Sequence, residues 1–433
     1  MIDINIIQTN NVLMSVIPSL EERLFPFNFY TRMRNKHPIT YDEKNDAFAA
    51  FRYKDVYNIL FNFKDFSSNF RRYISSNGQK TISSIFDSSL ITSDPPQHKF
   101  LRDSIAMAFN PKNIAKLEPQ IEKITLELLN NVIDNEKMDL IKDFAFPLPI
   151  IVITKLLGVP PEDHPKFKKW ADQILSSSVL INAGSDEVNK LNLQIREEMT
   201  SYFSSIIDSR TKNSDNDIIS ELIRYSELND FATESKRSSF VLSKENIISF
   251  CGLLLLAGHV TTINLIGNMF ISFFEYPLEF LKLKKNPSKL IPSAIEETLR
   301  YRSPVQCIVR YTNKDLTIGE GNYSSFIPSG KRIFTWIGSA NHDESIFSKP
   351  QNFDLYRYPN PHIAFGAGIH LCIGAPLARL ETQVALRNIL NHMDDIQLTE
   401  PSKPFKTIDS IIIHGVKSLP IPFKKLNRDL IKI

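Results

Sequence analysis

A mainly α-helical fold with a small β-rich region is what this sequence predicts, and three observations predict it. Apolar residues recur at the 3.6-residue helical period in LEPQIEKITLELLNNVID. The stretch from Ser243 to the residue before Pro277 stays apolar over far more residues than a strand uses. Strand-like segments are short and gather from Arg310 onward, as IVRYT, LTIGEG and IPSGKRIFTWIG, with Pro-Ser-Gly as a turn.

Composition bounds the rest. The chain has 433 residues, 42% hydrophobic and 23% charged, with a formal net charge of +3. No Pro/Gly/Ser-rich linker, charge block or internal repeat divides it, so one domain over residues 1–433 is expected, with 1–25 and 424–433 as peripheral extensions. The charge is too small and too mixed for a nucleic-acid partner. Cys251, Cys307 and Cys372 form no CxxC pair, which argues against a disulfide framework and fits a reducing cytoplasm. The N-terminus lacks a basic region and its apolar residues are broken by QTNN, unlike a signal peptide or an anchor.

In chain order, a helix is expected near Asn28, then strand-like segments ending in AFAAFRY and a helix at DVYNILFN. Residues 66–97 read as a long irregular loop, rich in Ser and Asn. A helix should run from His98 to about Phe109, where Asn110-Pro111 breaks it. After the periodic segment, DLIKDFAFPLPIIVITKLLGV has a more buried pattern, residues 165–210 are amphipathic, and 225–240 are polar and poorly patterned. The longest helix takes Ser243 as N-cap with Glu245 in its first turn. Its length also admits a membrane span, but Ser249, His259, Thr261, Thr262, Asn264 and Asn268 argue for a core helix carrying a site. A last helix follows Cys372, and the basic tail after Pro420 reads as a solvated end.

Chemistry concentrates in AFGAGIHLCIGAPLARLE, residues 364–381. Gly366 and Gly368 permit a tight loop. Cys372 stands where a helix begins, and unpaired N–H groups there favour thiolate over thiol. Gly374 lets a flat ligand approach the backbone. A buried structural cysteine is the plainer reading, and a zinc site with His370 lacks two further ligands nearby.

The spacing resembles the haem-binding loop of the cytochrome P-450 family, F-x-x-G-x-[HR]-x-C-x-G, at Phe365, Gly368, His370, Cys372 and Gly374. Pro376, Leu377, Ala378, Arg379 and Glu381 continue as in its bacterial members. The resemblance implies the family's fold, a triangular helix-rich lobe with a small β-rich region, and haem b (iron protoporphyrin IX) with Cys372 as axial thiolate. It covers about Asn28 to Phe423. Glu297 and Arg300 match the family's ExxR element, and Arg357 lies where its partner arginine is expected, all three as scaffold. His98 and Arg102 match HxxxR, and with Arg310 and His370 they make a set of cations for the haem propionates. Phe365, Gly366, Gly374 and Ala257 are the remaining expected haem contacts.

LLLLAGHVTT, residues 253–262, resembles the family's oxygen-activating AGx[DE]T[TS] segment at Ala257, Gly258, Thr261 and Thr262. By that resemblance Gly258 weakens the helix and opens a groove for O2, and Thr261 relays a proton. Read from the residues alone, Thr261 merely bonds back to the Ala257 carbonyl. Val260 stands where the family has Asp or Glu, and valine carries no proton. His259 lies about 100° around the helix, so its help with protons is not given by sequence.

The activity implied is that of a haem-thiolate monooxygenase acting on a small, bulky, apolar organic substrate, free or bound to a carrier protein. Members that oxidise macrolides, polyketides or fatty acyl chains are the softer resemblance, which places it in secondary metabolism. Hydroxylation or epoxidation would use O2 and electrons from a separate ferredoxin or flavodoxin with its reductase. Val260 makes a haem peroxygenase, or an atypical haem-thiolate oxidase or isomerase, the first alternative; a silent recruitment domain is the second. Residues 68–95 and 170–190, the central helix, Val305 to Ile308, and Ile411 with Ile412 should line the pocket. Arg71, Arg72 and Lys80 could meet an acidic substrate or carrier.

Overall fold

The long apolar stretch is one helix, Lys244–Glu275, 32 residues and about 48 Å end to end. Its start is fixed by a capping box. The Asn246 N–H donates to Ser243 Oγ at 3.2 Å and the Ser243 N–H to Asn246 Oδ1 at 3.1 Å. It stops at Tyr276, which leaves helical geometry so that Pro277 can open the next helix. The computed structural model describes residues 16–69, 89–106, 108–176, 186–233, 242–400 and 405–426. Among them this is the one helix long and apolar enough to cross a membrane, and 72% of its most apolar window is buried inside the protein.

Helices pack around that core rod. Pro147–Leu156, Asp186–Lys212, Pro287–Tyr301 and Ala375–His392 all lie against it. One apolar cluster draws residues from Leu24 to Phe423 together, with Phe144, Phe203, Leu255 and Ile389 fully buried in it. Burying side chains of that size contributes about 1.5–3 kcal/mol each. Polar groups on the rod are kept dry by bonding back to it. Thr262 Oγ1 donates to Gly258 O at 3.1 Å, Asn264 Nδ2 to Val260 O at 2.7 Å and Ser272 Oγ to Asn268 O at 2.8 Å. Asn268 Nδ2 instead reaches out to Arg302 O and His414 O, both at 3.0 Å.

A five-stranded sheet forms the β-rich part. Its strands are β1 (Ile39–Asp42), β2 (Ala47–Ala50), β3 (Phe66–Ser67), β4 (Cys307–Thr312) and β5 (Arg332–Trp336), in the order β1-β2-β5-β4-β3. β2 runs parallel to β5 with Ala47 opposite Arg332, and the other pairs are antiparallel, Arg310 facing Ile333 across β4 and β5. This register carries Arg310 and the residues after β3 to the same end of the molecule.

Several boundaries differ from the expectation. The helix expected over 98–109 is Gln97–Ala106, and Ile218–Thr233 extends a helix into the segment read as poorly patterned. The expected peripheral ends are tied in. Val16 is fully buried, Leu24 O accepts from Arg302 and bonds His414, and Pro420–Pro422 pairs with Lys137–Asp139. Lys424–Lys425 pairs with Met393–Asp394, and Ile421 and Phe423 are buried. The tail through residue 426 is therefore held by two short strand pairings, with Ile421 and Phe423 buried and Lys424 and Lys425 exposed.

Candidate active site

The cysteine loop is built by three local devices. Gly366 and Gly368 take φ of +77° and +68°, a region that favours glycine. A Cβ on Gly368 would also lie 2.9 Å from Phe61 Cα, so the helix Tyr53–Phe61 can close on the loop only there. The Cys372 N–H donates to Phe365 O at 3.0 Å, folding the loop back on itself. Arg379 then braces it, its guanidinium 4.6 Å above the Phe365 ring and its Nε and Nη2 on Glu296 at 2.6 and 2.8 Å. His362 bonds the same carboxylate at 2.9 Å, and against the upward push of burial these two partners hold Glu296 down to about 2.

Cys372 is not inside the helix; the helix begins three residues on, at Ala375. The expected thiolate is also not what the protein alone favours. Burial pushes the Cys372 thiol up, while backbone N–H groups of Gly374 and Ala375 and the charge of Arg102 pull the other way without winning. The sulfur lies in a recess, surrounded by protein yet open to solvent. A Cβ on Gly374 would stand in that recess, 3.9 Å from the sulfur.

The predicted cations come together beside this recess. The His98 and His370 rings pack edge to face with centroids 4.2 Å apart, and Arg102 and Arg310 both act on each of them. Burial, then Arg102, holds His98 down to about 4; burial, then Arg310, holds His370 down to about 2. Burial lowers Arg310 to about 10. Among the described residues no carboxylate pairs with Arg102 or Arg310. Asp94 acts on Arg310 only at a distance, because its oxygens take the Ser67 hydroxyl and the Ser68 N–H. Among the described residues Nε2 of His98 has no partner, whereas Nε2 of His370 bonds Ser68 Oγ at 2.9 Å. Buried cations without anions are costly, so the set fits a ligand that brings two carboxylates, and the open sulfur fits a metal. Haem meets both requirements.

The scaffold triad is complete. Arg300 Nε and Nη2 meet Glu297 at 2.9 and 2.8 Å, and Arg357 Nε lies 3.0 Å from both of its oxygens. Arg300 also donates to the carbonyls of Asn341, Pro350 and Asn352, tying this helix to the segment that leads into the cysteine loop.

On the central helix, Ala257 is exposed and Leu256, Gly258 and Thr261 are half-buried, an open strip on an otherwise buried rod. Thr261 Oγ1 donates to Ala257 O at 2.7 Å, and neither residue makes a polar contact with the cysteine loop. The helix does not break at Gly258. A Cβ there would lie 2.6 Å from Ile153 Cδ1 on the helix Pro147–Leu156, which would have to turn aside. Val260 is buried. His259 points elsewhere: its Nε2 is 3.2 Å from Phe146 O and burial holds it down to about 4, hence neutral.

Of the segments expected around the substrate, Val305 and Ile413 form a bridge and the Gln306 N–H donates to Ile412 O at 2.7 Å, so those two do meet. Leu90, Ile105, Leu222, Ile247 and Phe250 line a further small recess. Arg71, Arg72 and Lys80, and parts of 68–95 and 170–190, lie outside the described residues. Sequence reasoning missed Ser68, whose only signal was a hydroxyl after a strand, and gave Glu381 no task.

The family model for cytochrome P-450 matches residues 8–415. The putative cytochrome P-450 YjiB of Bacillus subtilis is 36% identical over 93% of this chain and 94% of its own length. Cyclomarin C epoxidase CymV of Salinispora arenicola is 33% identical, covering 90% of this chain and 94% of itself. Among solved structures, CYP109E1 from Bacillus megaterium in complex with testosterone superposes with a TM-score of 0.82 at 35% identity, over 94% of this chain and 99% of that one.

Proposed function

The chain belongs to the cytochrome P-450 family, and on that premise we propose that it inserts one atom of O2 into a bulky apolar organic substrate, by hydroxylation or epoxidation. It is a monooxygenase of the oxidoreductase class with haem b as cofactor. The observation that carries the proposal is the gathering of His98, Arg102, Arg310 and His370, with no carboxylate partner among the described residues, beside the accessible sulfur of Cys372.

Haem, when bound, supplies the iron chemistry that activates O2. The chain's own residues do the rest. Arg102 and Arg310 hold the ligand's carboxylates, with the two histidines as neutral donors. Cys372 gives its sulfur to the metal, and the Gly374 and Ala375 N–H groups stabilise negative charge there. The Thr261 hydroxyl, free to turn away from Ala257 O, holds a proton at the open strip. Val305, Ile308 and Ile412, each half-buried, offer apolar surface, which suits a testosterone-like or fatty acyl skeleton better than a charged one. Electrons come from a separate ferredoxin or flavodoxin with its reductase.

Reduced protein plus carbon monoxide tests the proposal. A thiolate-type Soret band, lost in Cys372→Ser at unchanged helical content, is the expected result. Its absence from folded, haem-loaded protein would sink the reading. Val260 favours a second reading, oxidation driven by peroxide. Turnover with peroxide and none with reduced ferredoxin would establish that one.

A further inference from the structure

The segment before the first helix, Phe27–Lys36, is fastened to a hairpin 390 residues later in the chain. Residues 406–417 form that hairpin. The Lys417 N–H donates to Lys406 O at 2.8 Å, Thr407 bridges Val416, and the Ile408 N–H donates to Gly415 O at 3.1 Å. Its tip, Asp409 to Ile413, folds round Ser410, whose hydroxyl oxygen accepts from the N–H groups of Ile412 and Ile413 at 3.2 and 3.0 Å. One side of the tip leans on Val305 and Gln306. The other side meets the N-terminal segment. Leu24 O accepts from His414 Nε2 and from Arg302 Nη1, both at 2.9 Å, which occupies both lone pairs of one carbonyl. Val16, fully buried, shares an apolar cluster with Ile411, and Ile17 and Ile412 pack against that cluster. Arg23 also pairs with Asp409, but Asp409 is 73% exposed, so this pair adds little. Asn268 of the central helix joins the same group, its Nδ2 donating to Arg302 O and His414 O.

We propose that the segment from Val16 to Leu24 determines specificity, as a brace that sets where the tip of the 406–417 hairpin, and with it Ile412, stands against the substrate. The proposal rests on the reading above that Val305, Ile308 and Ile412 offer the substrate apolar surface. The hairpin is closed at its base by its own backbone bonds, so it forms without the brace. Its tip is a loop, and the position of a loop follows from what holds it on each side. Val305 and Gln306 hold the backbone of Ile413 and Ile412 from one side. The brace holds the other side, through the buried His414–Leu24 bond and the Val16 cluster. Without it the tip keeps one anchor, and Ile412 shifts while Cys372 and the four cations, which lie on other elements, stay in place. Val16 and His414 are therefore positioning residues: they act on which apolar skeleton fits and leave metal binding alone.

His414→Phe in the full-length, haem-loaded protein is the test, since it keeps a buried ring and removes the donor to Leu24 O. The probes are 1-methylimidazole and 1-dodecylimidazole. Each binds haem iron through its ring, and only the long chain extends to the apolar surface. H414F should keep its haem, the thiolate-type carbon monoxide band and its affinity for 1-methylimidazole. Its affinity for 1-dodecylimidazole should fall roughly threefold to tenfold, the worth of one buried hydrogen bond. His414→Gln, whose side-chain amide can donate to the same carbonyl, should recover most of the lost ratio. Val16→Ala leaves that bond in place and loosens the apolar side of the brace, and it should move the ratio in the same direction. Independently of any ligand, hydrogen exchange over residues 405–417 should quicken in H414F and V16A and stay at the parent's rate over Ala375–His392. If H414F does not fold, V16A decides by the same readings. Unchanged exchange over 405–417 in the variants would overturn the brace. Faster exchange with an unchanged ratio, or equal losses for the two imidazoles, would overturn its role in specificity. Absence of the carbon monoxide band from the unaltered enzyme would instead defeat the monooxygenase reading, and the exchange result separates the two.

Discussion

Two buried clusters of basic residues in this molecule look alike in composition and differ in accounting. Around Glu297, Arg300 and Arg357 share one carboxylate and spend their remaining N–H groups on carbonyls. Around Cys372, Arg102, Arg310, His98 and His370 have no carboxylate partner among the described residues. The first cluster is finished by the polypeptide and holds the fold. The second is finished only by a ligand, so its charges serve binding at the expense of the bare protein's stability.

Three experiments would break or sharpen this contrast. The largest effect is expected from Glu297→Ala, which strands two arginines in the interior and should cost about 3–5 kcal/mol. Thermal melts and haem content of the purified protein would register it, and a stability within 1 kcal/mol of the parent (about a fivefold change in the folding equilibrium) would erase the distinction. Arg310→Leu should act in the opposite sense. The haem-free protein should be as stable as the parent or more so, whereas haem dissociation should quicken roughly tenfold to a hundredfold, the worth of one charge-assisted bond. Transfer of haem to an apoglobin acceptor measures it.

The smallest effect concerns pH. His98 is held from 6.5 down to about 4 in the haem-free fold, so the unfolded chain binds more protons between those values. Stability from this group is complete above pH 6.5 and is lost as pH falls towards 4. His259 and His414, held down to about 4 and about 3 by burial, act in the same direction. Urea midpoints of His98→Gln should therefore decline less steeply with acid than the parent's, and an identical slope would show that His98 is not buried as described.

Much of this was legible because certain residues carry their partners in their spacing. Cys372 with its glycines, the Glu297–Arg300 pair with Arg357, and His98 with Arg102 were found from sequence, since each motif implies its neighbour. What resisted was whatever depends on a third element. The loop's tightness at Gly368 is imposed by Phe61, three hundred residues earlier in effect rather than in pattern. Gly258 was read as a loosened helix, whereas the helix runs through it unbroken with Ile153 of another helix close by. That burial raises the Cys372 thiol in the protein alone was not legible either, because helix ends can be read from sequence and burial cannot.

The final strands bear on the order in which the chain can fold. The Leu419 N–H donates to Asp139 across 280 residues of sequence, and Lys424–Lys425 pairs beside the end of the cysteine-loop helix. A chain emerging from the ribosome must leave Lys137–Asp139 without its sheet partner until residues 420–422 have been made. Stop codons just before residue 420 should thus cost soluble yield far more than the loss of fourteen residues would suggest.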